Sequence, residues 1–256
     1  MARREAQRDA RDYDTTQLHE AGHGRTLHRD YTAHWGRWSF ARRFITAKDH
    51  VLEIGCGEDK PLSKILTGGA AAHVNTYVGV DLNKLKPSAS QRLTFIGEFN
   101  FVDRHKELLK MGHAIRPDGP YDIIVCMEVV EHFHSRFMPK FMKNCFECLK
   151  PGGAMLLSTP VYDGVRMAAN HISEMDIPTL QKYVEKAGFK VERRWGTFMD
   201  IKHIGKADTD RCSKASIAEV HKALAEYFDN DALSNVFGPL YPDRARNNLW
   251  LIRRPK

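Results

Sequence analysis

Val51-Leu52-Glu53-Ile54-Gly55-Cys56-Gly57 joins a strand-forming run to a glycine turn. Its first four residues read as a short buried strand, and two glycines end it. A glycine turn between a strand and a helix lets the backbone approach a ligand closely, because a Cβ there would collide with it. The helix is expected next, since Pro61 to Leu66 sets Leu62, Ile65 and Leu66 at helical spacing. In an open α/β sheet such a turn lies beyond the carboxyl ends of the strands, where ligands bind.

The same alternation continues outward. Thr76-Tyr77-Val78-Gly79-Val80-Asp81 reads as a second strand stopped by an acid. Thr94-Phe95-Ile96 and Phe99-Asn100-Phe101-Val102 are both apolar enough for the third, with a helix expected over 106–111 and a turn at Pro117 and Gly119-Pro120. Tyr121 to Met127 is nearly all apolar, as a strand covered on both faces should be. Arg136 to Leu149 carries Phe137, Phe141, Cys145 and Leu149 on one helical face and is stopped by Pro151-Gly152-Gly153. Ala154 to Ser158 is the fifth strand. Asp176 then caps a helix with Pro178 in its first turn, ending at Ala187-Gly188. Phe189 to Glu192 begins a sixth strand, and Leu249 to Ile252 reads as a seventh.

This order predicts an α/β protein with a doubly wound, mostly parallel seven-stranded sheet of Rossmann-like form. One domain is expected over 1–256. Within it, 1–48 is an N-terminal extension, 49–195 the nucleotide-binding core, 196–247 an insertion with a helix from about Ala215 to Phe228, and 248–256 the last strand. Both additions are natural carriers of substrate recognition, because loops on a rigid sheet usually hold specificity.

Asp81 is the discriminating residue. At the end of the second strand its carboxylate is placed to accept hydrogen bonds from both hydroxyls of a ribose; with no ligand it would only cap the Leu82-Asn83 turn. Together with Val51–Gly57, the segments Val78–Asp81, Tyr121–His132 and Leu149–Pro160 resemble the successive motifs of class I methyltransferases, in the right order. The similarity is closest to the type 11 group that includes ubiquinone-biosynthesis enzymes, and covers about residues 31–195. It implies S-adenosyl-L-methionine as cofactor. Glu53, Gly55, Cys56 and Gly57 would line its methionine part, Asp81 its ribose and Leu82 its adenine. Asp103, or second to it Glu98, would face the adenine amino group, and Met127 and Glu128 would border the cofactor where the fourth strand ends. One departure is Asp59, which stands where the first motif often has a third glycine.

Methyl transfer from a sulfonium needs positioning, plus removal of a proton from some acceptors. His132 and His171 are the candidates for that base, each with an alternative reading as a structural residue that orients its loop. An oxygen or nitrogen of a small molecule is the favoured acceptor. The Asp/Asn-Pro-Pro-aromatic signature of amino-methylating DNA enzymes is replaced by Met127-Glu128-Val129-Val130, and no Pro-Cys pair occurs for cytosine chemistry. RNA or protein stays open as an acceptor because the net charge is +7, although those charges are spread along the chain. A binding module that retains the fold without turnover is a further alternative.

His19-Glu20-Ala21-Gly22-His23 matches the zinc-peptidase pattern, but Gly22 and Gly24 weaken the helix it needs, and a lid over the cofactor explains the segment more simply. No metal is expected there, nor at Cys145-x-x-Cys148, where no second ligand pair has zinc spacing. An odd count of 5 cysteines fits reduced thiols. The charged start Met1-Ala2-Arg3-Arg4-Glu5 and the lack of a long apolar run predict no secretory signal and no membrane span, with the cytoplasm as the expected location.

Overall fold

Seven strands form a single sheet in the order β3-β2-β1-β4-β5-β7-β6 in the computed structural model, which describes residues 31–68, 73–88, 90–113, 120–165 and 167–256. The strands are β1 (His50–Ile54), β2 (Thr76–Val80), β3 (Leu93–Ile96), β4 (Tyr121–Met127), β5 (Leu149–Pro160), β6 (Lys190–Met199) and β7 (Ala245–Arg253). Neighbours from β3 to β5 pair parallel, while β7 runs antiparallel between β5 and β6. The strand order reverses at β1, so the turn after β1 opens at the topological switch point.

Two layers of helices cover the sheet, and side-chain alternation along each strand decides which layer a residue meets. Leu52, Ile54, Ile124, Cys126, Met155 and Leu157 pack with α3 (Phe101–His113), α4 (Met138–Cys148) and α5 (Ile177–Lys186). Val51, Tyr77, Ile123, Val125 and Leu156 pack on the opposite face with α1 (Tyr31–Arg42) and α2 (Pro61–Thr67), through Trp38, Ala41, Leu62 and Leu66. Glu53 shares the face of Val51, which sets a carboxyl group under α1.

The helix after β3 starts at Phe101, earlier than its apolar spacing indicates. Asn100 is the cause: its side-chain oxygen accepts from Val102 N at 3.0 Å, and its carbonyl from Arg104 N at 2.9 Å. Phe99 to Val102 is therefore a helix entry, and the third strand is the Leu93–Ile96 segment alone. Pro151-Gly152-Gly153 likewise lies within β5, because α4 already ends at Cys148 and Leu149 is extended. The expected Asp176 cap is present, its carboxylate accepting from Thr179 N at 2.8 Å.

β6 and β7 extend beyond their apolar cores as an antiparallel pair, with Gly196 opposite Asn248 and Met199 opposite Ala245. Between them lie α6 (Lys214–Leu224) and α7 (Asn230–Phe237). The single helix expected to Phe228 ends at Leu224, and Asp229 caps a second one by accepting from Ala232 N at 2.8 Å. Ile204, Ile217, Leu233, Phe237 and Tyr241 give this segment a small core of its own, and α7 touches α1. No helix among the described residues is long and apolar enough to cross a membrane. The His19–His23 segment lies outside the described residues.

Candidate active site

The turn after β1 is tied to the end of β2. Gly55 N donates to Val80 O at 2.8 Å and Gly57 N to Asp81 Oδ2 at 2.8 Å, while Asp81 Oδ1 accepts from Asn83 N at 2.9 Å. One buried carboxylate thus fixes both the glycine turn and the loop carrying Leu82. Gly55 and Gly57 both have positive φ, 74° and 64°, a region that glycine enters without a Cβ penalty. A Cβ on Gly55 would stand 2.3 Å from Val129 Cγ2, so glycine is what lets the loop after β4 close on the turn. Beside Gly57 the space is open: no described atom lies within 4 Å of where a Cβ would project.

Beneath the turn, Glu53 is buried and accepts a short hydrogen bond from the Tyr77 hydroxyl and another from Trp38. Burial pushes its carboxyl up to about 8, with Asp81 adding to the rise against the lowering by Tyr77 and Trp38. Cys56 is buried beside it, and its thiol is pushed up by burial and then by Glu53. On the far side of the turn, Glu98 is exposed and its N–H donates to Asn83 O at 2.8 Å, which keeps it beside the Asp81 loop. Asp103 lies on the exposed face of α3, where Lys140 Nζ meets it at 2.7 Å.

The carboxyl end of β4 carries the densest polar cluster. Met127 is buried in the sheet. Glu128 follows with φ 55°, a left-handed conformation that a non-glycine residue holds only when its surroundings fix it. Ser158 Oγ donates to its Oε1 at 2.7 Å and Asn247 Nδ2 to its Oε2 at 2.6 Å, while Arg37 of α1 forms an ion pair at 3.5 Å. Helix α1 therefore touches both carboxyl groups, through Trp38 on Glu53 and Arg37 on Glu128.

Glu131 and His132 come next, in a 3-10 turn spanning Val130–His132. Glu131 is fully buried; Thr159 Oγ1 donates to its Oε2 at 3.2 Å, and its Oε1 has no hydrogen-bond partner among the described residues. Burial, then Glu128, pushes its carboxyl well above the usual range. Its main-chain oxygen accepts from Ile172 N at 2.8 Å and Ser173 N at 3.0 Å, which draws the segment after β5 onto this turn. His132 and His171 are brought together by that contact, with ring centroids 5.1 Å apart and planes at 84°.

Each imidazole is oriented through Nδ1. His132 Nδ1 meets Asn170 O at 3.2 Å and His171 Nδ1 meets Glu174 Oε1 at 2.5 Å. Both partners are acceptors, so the network assigns the proton to Nδ1 and the lone pair of the neutral ring to Nε2. Glu131, His132 and His171 offer ligand atoms that all lie within 4.8 Å of one another, a set able to hold a cation.

Both histidines and all of the first-turn residues are thus at one edge of the sheet. Arg37, Ser158, Asn247, Glu131 and Glu174 join this cluster; Arg37, Asn247 and Glu174 carry no sequence motif, while Glu131 and Ser158 lie inside quoted motif segments without being singled out there. Glu131 alone had a signal, as an acid inside the apolar Val129-Val130 and Phe133 surroundings. The cysteines form no disulfide: Cys145 and Cys148 are buried in α4 as thiols, and Cys212 is exposed.

Comparison with known proteins gives the family. A family model described as a methyltransferase domain matches residues 37–194, more than half of the chain. A Mycolicibacterium smegmatis protein named "Probable S-adenosylmethionine-dependent methyltransferase" is 30% identical over 196 residues, 73% of this chain and 69% of the relative. The ubiquinone biosynthesis O-methyltransferase of Coxiella burnetii is 31% identical over 129 residues. That match takes in 48% of this chain, which spans 49% of the enzyme's length. Among solved structures, a SAM-dependent methyltransferase from Archaeoglobus fulgidus shares the fold with a TM-score of 0.55 at 17% identity, over 88% of this chain and 94% of that one. The chain belongs to the methyltransferase-domain family, and it is an enzyme that uses S-adenosylmethionine.

Proposed function

We propose that the enzyme methylates an oxygen or nitrogen of a small-molecule acceptor held at the Glu131, His132 and His171 end of the cleft. The observation that carries this reading is the imidazole pair, joined from two distant segments and fixed in one tautomer at the carboxyl ends of β4 and β5. Carbon acceptors that are already nucleophilic need no such base; hydroxyl and protonated amine acceptors do.

The chain's own residues fit the cofactor. When bound, S-adenosylmethionine supplies an electrophilic methyl group on a sulfonium. Gly57 leaves room for it beside the turn, and Asp81 presents a carboxylate already oriented by two backbone N–H groups. Leu82 is half-buried next to Asp81 and offers an apolar surface to the adenine. Of the two acids considered for the adenine amino group, Glu98 is the better placed, since Lys140 holds Asp103. Glu128 and Met127 close the methionine side. At the acceptor, the imidazole Nε2 takes the proton as the new bond to carbon forms.

Glu128, Glu131 and Glu174 crowd the transfer end with carboxyl groups. The 196–247 insertion, which meets α1 through α7, is the proposed carrier of acceptor specificity. A screen of hydroxylated and amino metabolites, RNA and protein with a labelled methyl donor tests the reading. Labelling of small molecules is the expected result; labelling confined to RNA or protein would overturn it.

A further inference from the structure

No metal is expected from local spacing, yet the transfer end combines three features of a cation site. Two imidazoles and a carboxylate converge, with ligand atoms all within 4.8 Å of one another. The carboxylate oxygen Glu131 Oε1 is fully buried and has no hydrogen-bond partner among the described residues. A buried polar atom in that state costs about 1–3 kcal/mol, and native structures rarely leave one unexplained. Finally, His171 is backed through Nδ1 by Glu174, and His132 through Nδ1 by the Asn170 carbonyl. Metal-bound histidines are held in just this way, with the outer partner fixing the ring and raising its basicity.

We infer that Glu131, His132 and His171 bind a divalent cation through one carboxylate oxygen and two imidazole Nε2 atoms. The inference deepens the reading above and rests on it for the position of the acceptor. A mixed oxygen and nitrogen donor set suits Mn(II) or Zn(II) better than Ca(II), which takes oxygen ligands. Bond lengths of about 2.0–2.2 Å place tetrahedral or octahedral ligands roughly 3–3.5 Å apart, so ligand atoms that lie up to 4.8 Å apart need to close by roughly 1.3–1.8 Å. Three protein ligands leave a position open, as catalytic sites do.

That open position is where an acceptor hydroxyl would coordinate. The cation withdraws charge from the oxygen, the O–H bond breaks with the proton passing to water, and the oxygen attacks the methyl carbon as its bond to sulfur breaks. The products are a methyl ether, the neutral thioether and one proton. In this state the imidazoles act as ligands, and the cation takes over the activation assigned above to Nε2.

The test uses the full chain, stripped with a chelator, dialysed and titrated with MnCl2 while free Mn(II) is followed by electron paramagnetic resonance. Saturable binding of about one equivalent is expected. H171A should weaken it at least about tenfold, and E174Q, which acts only through His171, by about 10–100-fold. H23A should leave it unchanged, which separates this site from the His19–His23 segment. His171 and Glu174 lie outside the sheet and its helices, so these variants keep the fold, as circular dichroism will verify; E131Q serves as a third variant under the same check. Absence of saturable binding, or binding unaltered by both H171A and E174Q, would overturn the inference. Calorimetry with S-adenosylhomocysteine on the stripped protein keeps the two readings apart: cofactor binding without Mn(II) binding defeats only the cation site.

Discussion

His132 and His171 face each other edge to face, 5.1 Å between ring centroids, although one follows β4 and the other the loop after β5. The link between their segments is Glu131, whose main-chain oxygen takes N–H groups from Ile172 and Ser173. A pair built by backbone hydrogen bonds holds its geometry without a ligand, which is what a preorganised transfer site requires.

The first consequence concerns turnover. Replacing His171 by Ala should lower kcat about 100-fold on the acceptor found by the screen, in the range general acid–base groups supply. Binding of S-adenosylhomocysteine should change little, because the glycine turn is held by Val80 and Asp81. Steady-state kinetics beside calorimetry measure the split. A rise in KM for the cofactor with unchanged kcat would place His171 in cofactor binding instead.

Asp81 should show the converse. Its carboxylate orients the turn and is the proposed ribose acceptor. Charge-assisted hydrogen bonds contribute about 1.5–3 kcal/mol, so D81A should weaken S-adenosylhomocysteine binding by roughly 10–150-fold by calorimetry. Binding within threefold or so of the native protein would remove Asp81 from the site.

Glu53 makes folding depend on pH. Its carboxyl is pushed up to about 8 in the folded protein by burial beside Tyr77, against an ordinary value of 4.5. The native state therefore holds a proton that the unfolded chain releases, so this stabilisation is complete below the unfolded value and is lost as pH rises towards 8. Urea midpoints should fall between about pH 5 and pH 8, and E53Q should flatten that slope. An equal slope in both proteins would assign the pH dependence elsewhere.

How much of this was legible in the sequence follows the range of each interaction. Val51 to Gly57, Asp81 and the Asp176 cap are local patterns, and each stands where its pattern indicated. Asn100 shows the limit at short range: Phe99 to Val102 is apolar enough for a strand, but one side-chain bond to Val102 N turns it into a helix entry. The contacts around Glu128 lie beyond any local pattern. Arg37 comes from α1, Ser158 from β5 and Asn247 from β7, and only the sheet order puts them at one edge. The partners of Glu131, which are Thr159 and the backbone of Ile172 and Ser173, are equally remote. Asp229, a helix cap by residue type, was the available sign of α7.

The turn itself supplies the last expectation. Alanine at Gly55 meets two separate penalties: φ of 74° is unfavourable for any L side chain, and the new Cβ would lie 2.3 Å from Val129 Cγ2. The first costs about 1–2 kcal/mol, and overpacking adds about 1–3 kcal/mol. At Gly57 only the first applies, because the space beside it is open. G55A should therefore lose more stability in urea than G57A, whereas G57A, whose Cβ projects into the proposed cofactor space, should be impaired chiefly in S-adenosylhomocysteine binding. The reverse ranking in either measurement would mean that the loop after β4 does not close on this turn in solution.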